Sequence, residues 1–325
     1  MEEEPYIPDV PITMKESTSL FPNNLSAWGH SGTMHYVVTS RGLVNIIVAK
    51  SGGTMQKQMQ GKECSHAKPI IQAKFVALSG NLYLILCTFH GIQIHNATDQ
   101  RLLLFHPLPA DPSKPGEEVF AQGASSIGND MVAVGASSGR ILIFKKDSGT
   151  FSWADTLQAT FSGHSNPICD IQYNGKRLFT SDDNGCVLVW SQNGDSWDLL
   201  KTFEGAGSPC STMCVYKDYI VGGYGSGHIR IFNHQEGSLV AEITAHARWI
   251  NALDVNPSGL MASVSEDTVV NLWDLNEICL QHTFSIPNVQ LCGVQFLQGS
   301  NDFAVTGYDM KDILIFKENA NFKKL

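Results

Sequence analysis

The chain has 325 residues, of which 43% are hydrophobic and 16% are charged, a balance that can fill a sizeable core and argues against widespread disorder. Its formal net charge of -9 means that the average surface repels phosphate backbones, and no cluster of Lys and Arg offsets this charge. We therefore expect no nucleic-acid partner. The sequence also lacks a long apolar run and a secretory-signal pattern, so we expect no integral membrane segment.

The N-terminal sequence MEEEPYIPDVP is acidic and rich in proline. We expect residues 1–13 to be a disordered acidic segment and residues 14–325 to form a single domain. Residues 14–25 (MKESTSLFPNNL) lie directly before the first repeated unit of that domain.

A short pattern recurs along the domain: an apolar run, a tight turn with Gly or Asp, and alternating apolar residues that end in a bulky anchor. It predicts two antiparallel strands joined by a turn. Clear copies include LFTSDDNGCVLVW and MASVSEDTVVNLW, and weaker copies include YVVTSRGLVNII and LILCTFHGIQIH. The seven anchors, in chain order, are Ile47, His95, Phe144, Trp190, Phe232, Trp273 and Phe316.

The anchors are spaced by 48, 49, 46, 42, 41 and 43 residues. Four-stranded propeller blades repeat every ~40 to 45 residues, so the sequence predicts a seven-bladed, all-β propeller. The wider early spacings coincide with insertions at 51–61 and 106–116, where Gly and Pro predict surface loops. Only nine residues follow Phe316. We therefore expect residues 14–25 to supply the outer strand of the last blade and close the ring.

Four polar and aromatic residues recur in register with the anchors. His246 lies 27 residues before Trp273, Ser263 ten before it and Asp267 six before it. A buried indole N–H needs an acceptor, which a hydroxyl provides, and a histidine can link that hydroxyl to a carboxylate. The spacing therefore predicts a structural hydrogen-bond network.

The copy that ends at Trp190 has His164, Thr180 and, at the turn, Asp183 or Asn184 as the carboxylate or amide. The copy that ends at Phe316 retains a hydroxyl at Thr306 but has Gln290 in place of histidine. Because Phe donates no hydrogen bond, we expect no network there.

A His/Ser/Asp set could also form a hydrolase triad. Ser263, however, falls in the middle of a predicted strand rather than on a nucleophile elbow, and its expected partner is a Trp. Cys210 and Cys214 lack further ligands at zinc-site spacing, and the glycines from Gly222 to Gly227 precede a strand rather than a helix. We expect no catalytic residue, no metal and no cofactor.

The His, Ser/Thr, Asp and Trp spacing resembles that of WD-repeat propellers. Longer strings resemble one family within that class, the WD repeat-containing protein 54 family: FHGIQI (89–94), TAHARWINALDV (244–255), SEDTVVNLW (265–273), QLCGVQFLQGSNDFAVTGYD (290–309) and PNNLS (22–26). The resemblance implies a non-catalytic intracellular propeller that can self-associate.

In WD-repeat propellers the loop that carries the histidine and the turn between the two middle strands share one face of the disc. We call this face the rim. The resemblance implies that partners dock there, and Trp, Tyr and Arg are enriched in binding hot spots. The predicted contact residues are Phe89, Asp182, Asp183, Tyr224, Arg248, Trp249, Tyr308 and Asp309. For Trp249 the alternative is packing against the neighbouring blade.

The leading functional hypothesis is a scaffold or adaptor that binds other proteins or peptides of unknown identity, with homo-oligomerisation as a further expectation. One alternative is a reader of a modified or basic peptide, or of ubiquitin, on an acidic rim. A less favoured alternative is a propeller hydrolase with Asp309 and Asp312 at the central channel. The eight cysteines suit a reducing compartment. We therefore expect a cytoplasmic protein that reaches vesicles or membranes only through partners.

Overall fold

The computed structural model describes residues 4–109, 116–147, 150–153, 160–194 and 196–322. Within these ranges the chain forms 30 β-strands in seven antiparallel sheets. These sheets are the seven blades, so the predicted seven-bladed all-β propeller is confirmed. Among the same residues, no helix has the length and hydropathy that a bilayer span requires.

The first two strands of the chain are β1 (Tyr6–Pro8) and β2 (Ile12–Thr13). Blade 1 comprises β3 (Ser26–His30), β4 (Thr33–Ser40), β5 (Leu43–Lys50) and β6 (Gly53–Gln60). Blade 2 comprises β7 (Ile70–Leu78), β8 (Asn81–Thr88), β9 (Gly91–Asn96) and β10 (Leu102–Pro107). Blade 3 comprises β11 (Ala121–Ile127), β12 (Met131–Ala136), β13 (Arg140–Asp147), β14 (Thr150–Trp153) and β15 (Thr160–Ser162).

Blade 4 comprises β16 (Ile168–Tyr173), β17 (Arg177–Asp182), β18 (Val187–Asn193) and β19 (Ser196–Phe203). Blade 5 comprises β20 (Cys210–Tyr216), β21 (Tyr219–Tyr224), β22 (His228–Asn233) and β23 (Ser238–Thr244). Blade 6 comprises β24 (Ile250–Val255), β25 (Leu260–Ser265), β26 (Val269–Asp274) and β27 (Cys279–Ser285). Blade 7 comprises β28 (Leu291–Phe296), β29 (Phe303–Gly307) and β30 (Asp312–Glu318), joined by β1 and β2.

The hydrophobic core lies between the blades. Seven apolar clusters each combine residues from two successive sheets, and one of them joins blade 7 to blade 1. All seven predicted anchors lie in the third strand of their blade and are at most 9% exposed. Since side chains of a strand alternate between the two faces of its sheet, one strand can supply apolar groups to both neighbouring interfaces.

The N-terminal segment closes the ring, as predicted, but through different residues. β1 and β2 both pair antiparallel with β30, and Tyr6 packs edge-on against Phe303 with 5.1 Å between ring centroids. These strands lie within the segment 1–13 that was expected to be disordered, and not within 14–25. The physical reason is that alternate apolar residues of YIP and IT can cover the exposed edge of β30 despite their proline-rich setting.

The insertion predicted as a surface loop at 51–61 is mainly strand β6, the outer strand of blade 1. Gly52 lies in the turn before the strand, Gly53 begins the strand and Gly61 follows it, while TMQKQMQ pairs with residues 43–49 of β5. The prediction was wrong because polar alternation on an outer strand resembles a loop. Of the second predicted insertion, 106–116, residues 106 and 107 end β10, and residues 110–115 lie outside the described residues.

Candidate functional site: the rim, the buried networks and the channel

Blade 6 contains the predicted network in full. The indole N–H of Trp273 donates to the hydroxyl of Ser263 over 3.0 Å, and that hydroxyl lies 2.7 Å from Nε2 of His246. Nδ1 of the same imidazole lies 3.1 Å from a carboxylate oxygen of Asp267. Burial lowers the pKa of His246 although Asp267 opposes that shift, so the ring is neutral at pH 7 and links hydroxyl to carboxylate.

Blade 4 contains an equivalent network with one correction. Trp190 donates to the Thr180 hydroxyl over 2.9 Å, and that hydroxyl lies 2.7 Å from Nε2 of His164. The carboxylate 2.9 Å from Nδ1 belongs to Asp182, not to Asp183 or Asn184. Asp182 lies two residues after Thr180, which places both side chains on the same face of the strand.

Asp182 was also predicted as a rim contact, but it is 2% exposed and its carboxylate is occupied. Besides His164, the backbone N–H groups of Asn184 and Cys186 donate to it. Burial would raise its pKa, but these hydrogen bonds outweigh the effect, so the pKa of Asp182 lies below its usual value. Asp182 therefore belongs to the network rather than to a contact surface.

The Ser263, His246 and Asp267 contacts have the connectivity of a hydrolase triad, but the hydroxyl is inaccessible. Ser263 and Thr180 are both 0% exposed, and each hydroxyl already accepts an indole N–H. A nucleophile needs space beside the hydroxyl for the reacting carbon. These sets therefore hold strands together rather than attack a substrate.

One group of potential metal ligands overlaps the blade 4 network: His164, Asp182 and Cys186 offer ligand atoms within 4.8 Å of one another. Both nitrogens of His164 are already hydrogen-bonded within the network. Burial raises the pKa of Cys186 to about 11, which disfavours the thiolate that a metal would require. The hydrogen-bond network accounts for this cluster without an ion.

Tyr224, another predicted contact residue, is buried at 1% exposure between blades 4 and 5. Its hydroxyl donates to the carbonyl of Gly185 over 3.3 Å, and the guanidinium of Arg230 lies over its ring at 5.1 Å. The copy that ends at Phe232 has Gly222 where blades 4 and 6 have a hydroxyl, and an added Cβ at Gly222 would lie 3.0 Å from the Tyr224 ring. The tyrosine therefore fills space that the missing network leaves.

Arg248 and Trp249 lie together on the rim between blades 5 and 6. The Arg248 side chain is 58% exposed and lies 3.5 Å from the carboxylate of Glu266. The six-membered ring of Trp249 packs against Gly225 of blade 5, where a Cβ would approach it to 2.8 Å. Part of the Trp249 side chain therefore packs against the neighbouring blade, which was the predicted alternative to a contact role. The Trp249 Nε1 atom is nevertheless buried without a hydrogen-bond partner among the described residues.

The other predicted rim residues do not converge on this pair. Tyr308 is 49% exposed, and its neighbour Asp309 accepts a hydrogen bond from the Ser17 hydroxyl over 2.8 Å in the turn of blade 7. Phe89 of blade 2 is half-buried against Phe120, which directly precedes blade 3, and Asp183 is exposed on blade 4. Aromatic residues on separate blades form no shared cage.

The central channel contains charged groups that sequence reasoning missed. A cavity of about 290 Å³ is lined by the first strands and contains Lys74, Asp170 and Asp254. Burial raises the pKa of both carboxyls, that of Asp254 to about 6. Each carboxylate accepts a backbone N–H of the next blade, from Met213 at 2.8 Å and from Phe296 at 2.6 Å. The sequence feature that could have revealed these carboxylates is an acidic residue within an otherwise apolar first strand.

The acids that were predicted for the channel lie elsewhere. Asp309 is in the rim turn, and Asp312 accepts a hydrogen bond from the Thr13 hydroxyl at 2.7 Å, where β2 joins the outer side of β30. The prediction was wrong because Asp309 lies in the turn between the second and third strands and Asp312 begins the third strand, whereas the cavity is lined mainly by first strands.

Residues 14–24 cross the rim from blade 7 toward the channel. Thr18 donates to the carbonyl of Gly307, and further along the segment the Asn23 side chain accepts a hydrogen bond from the Thr212 hydroxyl of blade 5 over 2.8 Å. The Asn23 backbone N–H donates to the carbonyl of Asn251 in blade 6 over 2.8 Å. One segment therefore links blades 5, 6 and 7 near the channel mouth.

Seven antiparallel blades around a channel, two of them fastened by His, hydroxyl, Trp and Asp networks, define a WD-repeat propeller. The model of the WDR54 family matches residues 9–318, and the chain belongs to that family. WD repeat domain 54 of Rattus norvegicus is 32% identical over 329 residues, covering 94% of this chain and 97% of the rat protein. The resemblance predicted from the sequence is confirmed.

More distant similarity extends to other propellers. The COMPASS component SWD3 of Saccharomyces cerevisiae is 28% identical over 52% of this chain and 60% of its own length. A chain in the crystal structure of the mitotic checkpoint complex superposes with a TM-score of 0.75 at 12% identity, covering 95% of this chain and 91% of that chain. The structural match supports the fold alone.

Proposed function

We propose that this protein is a non-catalytic scaffold or adaptor that binds other proteins or peptides through the rim, with Arg248 and Trp249 at the centre of the contact surface. The observation that carries the proposal is the unpaired, buried indole N–H of Trp249 beside an exposed guanidinium. A buried donor without an acceptor costs about 1–3 kcal/mol, which a small rotation of the indole toward a carbonyl of a bound partner would recover.

The surroundings of this pair suit a polypeptide. Glu266 adds a carboxylate next to Arg248, and rigid strands on both sides hold the loop in place. A partner loop could therefore present a carbonyl to the indole and an acidic group to the guanidinium. The more distant relative in yeast is named as a component of a larger assembly, which also favours protein partners.

The hydrolase alternative has weaker support. The hydroxyls of the two networks are fully buried, and the two channel carboxylates already accept backbone hydrogen bonds. The reader alternative requires aromatic faces around a cation, whereas the ring of Tyr224 already faces Arg230. For the compartment, all eight cysteines are free thiols and six of them are buried, which supports a reducing environment such as the cytosol.

The test compares the full-length protein with a double variant, Arg248→Ala and Trp249→Ala, in affinity purification followed by quantitative mass spectrometry. Proteins that dock on the rim should fall by about tenfold with the variant, since a central Trp and Arg each contribute about 2 kcal/mol or more to such contacts. The melting temperature of the variant, measured in parallel, separates lost binding from lost folding.

A matched control is the double variant Leu200→Ala and Lys201→Ala, which removes an apolar residue beside a cation from the outer strand of blade 4. It should retain the same proteins. If the rim variant folds and captures an unaltered set of proteins, or if the control loses the same ones, the rim is not the contact surface.

A further inference from the structure

Blade 1 is longer than the blades on the far side of the ring. Strands β4, β5 and β6 have eight residues each, whereas the second and third strands of blades 5 and 6 have six. The β3–β4 and β5–β6 turns lie at the strand ends away from the rim. On that side the face of blade 1 that packs against blade 2 is left partly uncovered.

The uncovered face forms a pocket of about 330 Å³. Its apolar floor is made by Trp28, Ile46, Val48 and Met55, and Met55 is 53% exposed. The indole of Trp28 stacks on His30 with 5.4 Å between centroids. The turn between β9 and β10 of blade 2 supplies the opposite wall. An exposed methionine and a half-buried tryptophan in one concave site are typical of a surface that receives an apolar side chain.

The charges around this pocket differ in sign from the protein as a whole. The chain has a net charge of -9, yet the lining includes Lys50 and Lys57 and no Asp or Glu. The nearest sequence neighbour with a carboxylate, Asp99, is within 4.0 Å of the guanidinium of Arg101. Both lysines are exposed, and the Lys57 ammonium makes a 3.2 Å hydrogen bond to Gln100. Neither lysine forms an ion pair among the described residues.

His35 also lines the pocket, and it contributes shape rather than charge. Burial first, and Lys50 second, lower its pKa, so the imidazole is neutral at pH 7. Its ring lies 5.6 Å from that of Trp28 and 6.2 Å edge-on from Phe75. These contacts fix the indole that forms the floor.

We propose that this pocket binds an acidic peptide segment that inserts one bulky apolar side chain between flanking carboxylates. The apolar side chain would cover Trp28 and Met55, and the carboxylates would reach Lys50 and Lys57. Charge complementarity selects this occupant, because a basic peptide would place cations beside two unpaired ammonium groups. The site lies on the face of the disc opposite the rim, so it is independent of the function proposed for Arg248 and Trp249.

The probe is the peptide acetyl-Glu-Glu-Leu-Phe-Glu-Glu-amide, titrated into the full-length protein by isothermal titration calorimetry. It should bind at least about tenfold more tightly than acetyl-Lys-Lys-Leu-Phe-Lys-Lys-amide and than the peptide with two alanines in place of Leu-Phe. Raising the ionic strength should weaken binding, since the lysines are exposed to solvent.

The test variant is Lys50→Glu with Lys57→Glu, and the control is Lys176→Glu with Lys311→Glu, which makes the same change in net charge at exposed positions elsewhere. The test variant should lose about tenfold in affinity and the control less than about twofold. The Arg248 and Trp249 double variant should bind the probe as the wild type does, which separates this proposal from the rim proposal.

Three outcomes would overturn the proposal: equal affinity for the basic peptide, equal losses in the two lysine variants, or an unchanged affinity when Leu-Phe is replaced. A fourth concerns a second copy of the chain as occupant. If sedimentation velocity shows that the wild type self-associates and that the Lys50 and Lys57 variant does not, the pocket serves an interface between copies instead.

Discussion

Blades 4 and 6 differ from blade 7 in how the third strand is secured within the sheet. In blades 4 and 6 an indole N–H in the third strand reaches a hydroxyl in the second strand and continues to a histidine and a carboxylate. In blade 7 the anchor of the third strand is Phe316, which donates no hydrogen bond, and the hydroxyl of Thr306 donates to the carbonyl of Asn24 in the N-terminal segment.

The difference shows two physical solutions to one problem. A blade can be fastened by a buried polar network within its own repeat, in which every donor has an acceptor. It can also be fastened by a distant segment that covers its edge, as β1 and β2 cover β30. The second solution makes the stability of the last blade depend on residues at the other end of the chain.

The largest expected effect comes from removing residues 1–25. This deletion exposes the edge of β30, removes Tyr6 from Phe303 and takes away the partner of Thr306. We expect the melting temperature, measured by scanning calorimetry, to fall by about 10 °C or more. In a domain of this size, each kcal/mol lost from the free energy of unfolding lowers the melting temperature by a few degrees. Removal of residues 1–3 alone is the control. An unchanged melting curve after the long deletion would contradict closure by this segment.

A smaller effect is expected when one hydroxyl is removed from each kind of blade. Thr180→Val leaves both Trp190 and His164 without their partner, and two buried unsatisfied groups cost about 4 kcal/mol in total. Thr306→Val removes a single hydrogen bond to Asn24 and should cost about 1 kcal/mol. Denaturant unfolding followed by tryptophan fluorescence measures both.

Thr180→Ser keeps the hydroxyl and is the matched control for the larger loss. Equal destabilisation by the two valine variants would mean that the blade 4 network adds nothing beyond a single hydrogen bond. That result would contradict the conclusion that blades 4 and 7 are stabilised in two different ways.

An effect of opposite sign, which appears only above acid pH, concerns Asp254, a buried carboxylate outside these networks. Burial raises the pKa of Asp254 in the folded state to about 6, so folding favours the protonated carboxyl. The stability present at acid pH is therefore lost as pH rises from about 4, where the unfolded chain ionises, to about 6. Asp254→Asn keeps an acceptor for the Phe296 N–H without the charge. At pH 7.5 the variant should be more stable by up to about 3 kcal/mol, and at pH 4 the gain should vanish.

Asp182→Asn provides the contrast, because the pKa of Asp182 is lowered by its network. The stability that this carboxylate contributes is present above the usual carboxyl pKa and is lost as pH falls through the folded-state value. The asparagine variant should therefore be less stable than wild type at pH 7.5, and the gap should narrow in acid. Denaturant unfolding at pH values from about 2 to 8 measures both variants and includes the range below the usual carboxyl pKa in which the Asp182 gap narrows; gaps of the same sign at pH 7.5 would contradict the assignment.

The candidate site was predictable where it depended on local spacing. The His246, Ser263, Asp267 and Trp273 network followed from register alone, and the Arg248 side chain is exposed beside Glu266, with its contact role still a prediction. The prediction of contact residues failed at strand ends, because a shift of one residue along a strand moves a side chain from one face of the sheet to the other. Asp182 and Tyr224 both end second strands and both side chains are buried, Asp182 in the blade 4 network and Tyr224 between blades 4 and 5.

By itself, the sequence determined the number of blades, the anchor in each third strand and the identity of the hydrogen-bonding groups, because these depend on short-range periodicity. Only the tertiary structure decided that β1 and β2 close the ring, that Asp170 and Asp254 meet in the channel with Lys74, and that blade 1 leaves a pocket beside blade 2. Contacts between distant segments have no local signature, since they exist only once the blades have packed into a ring.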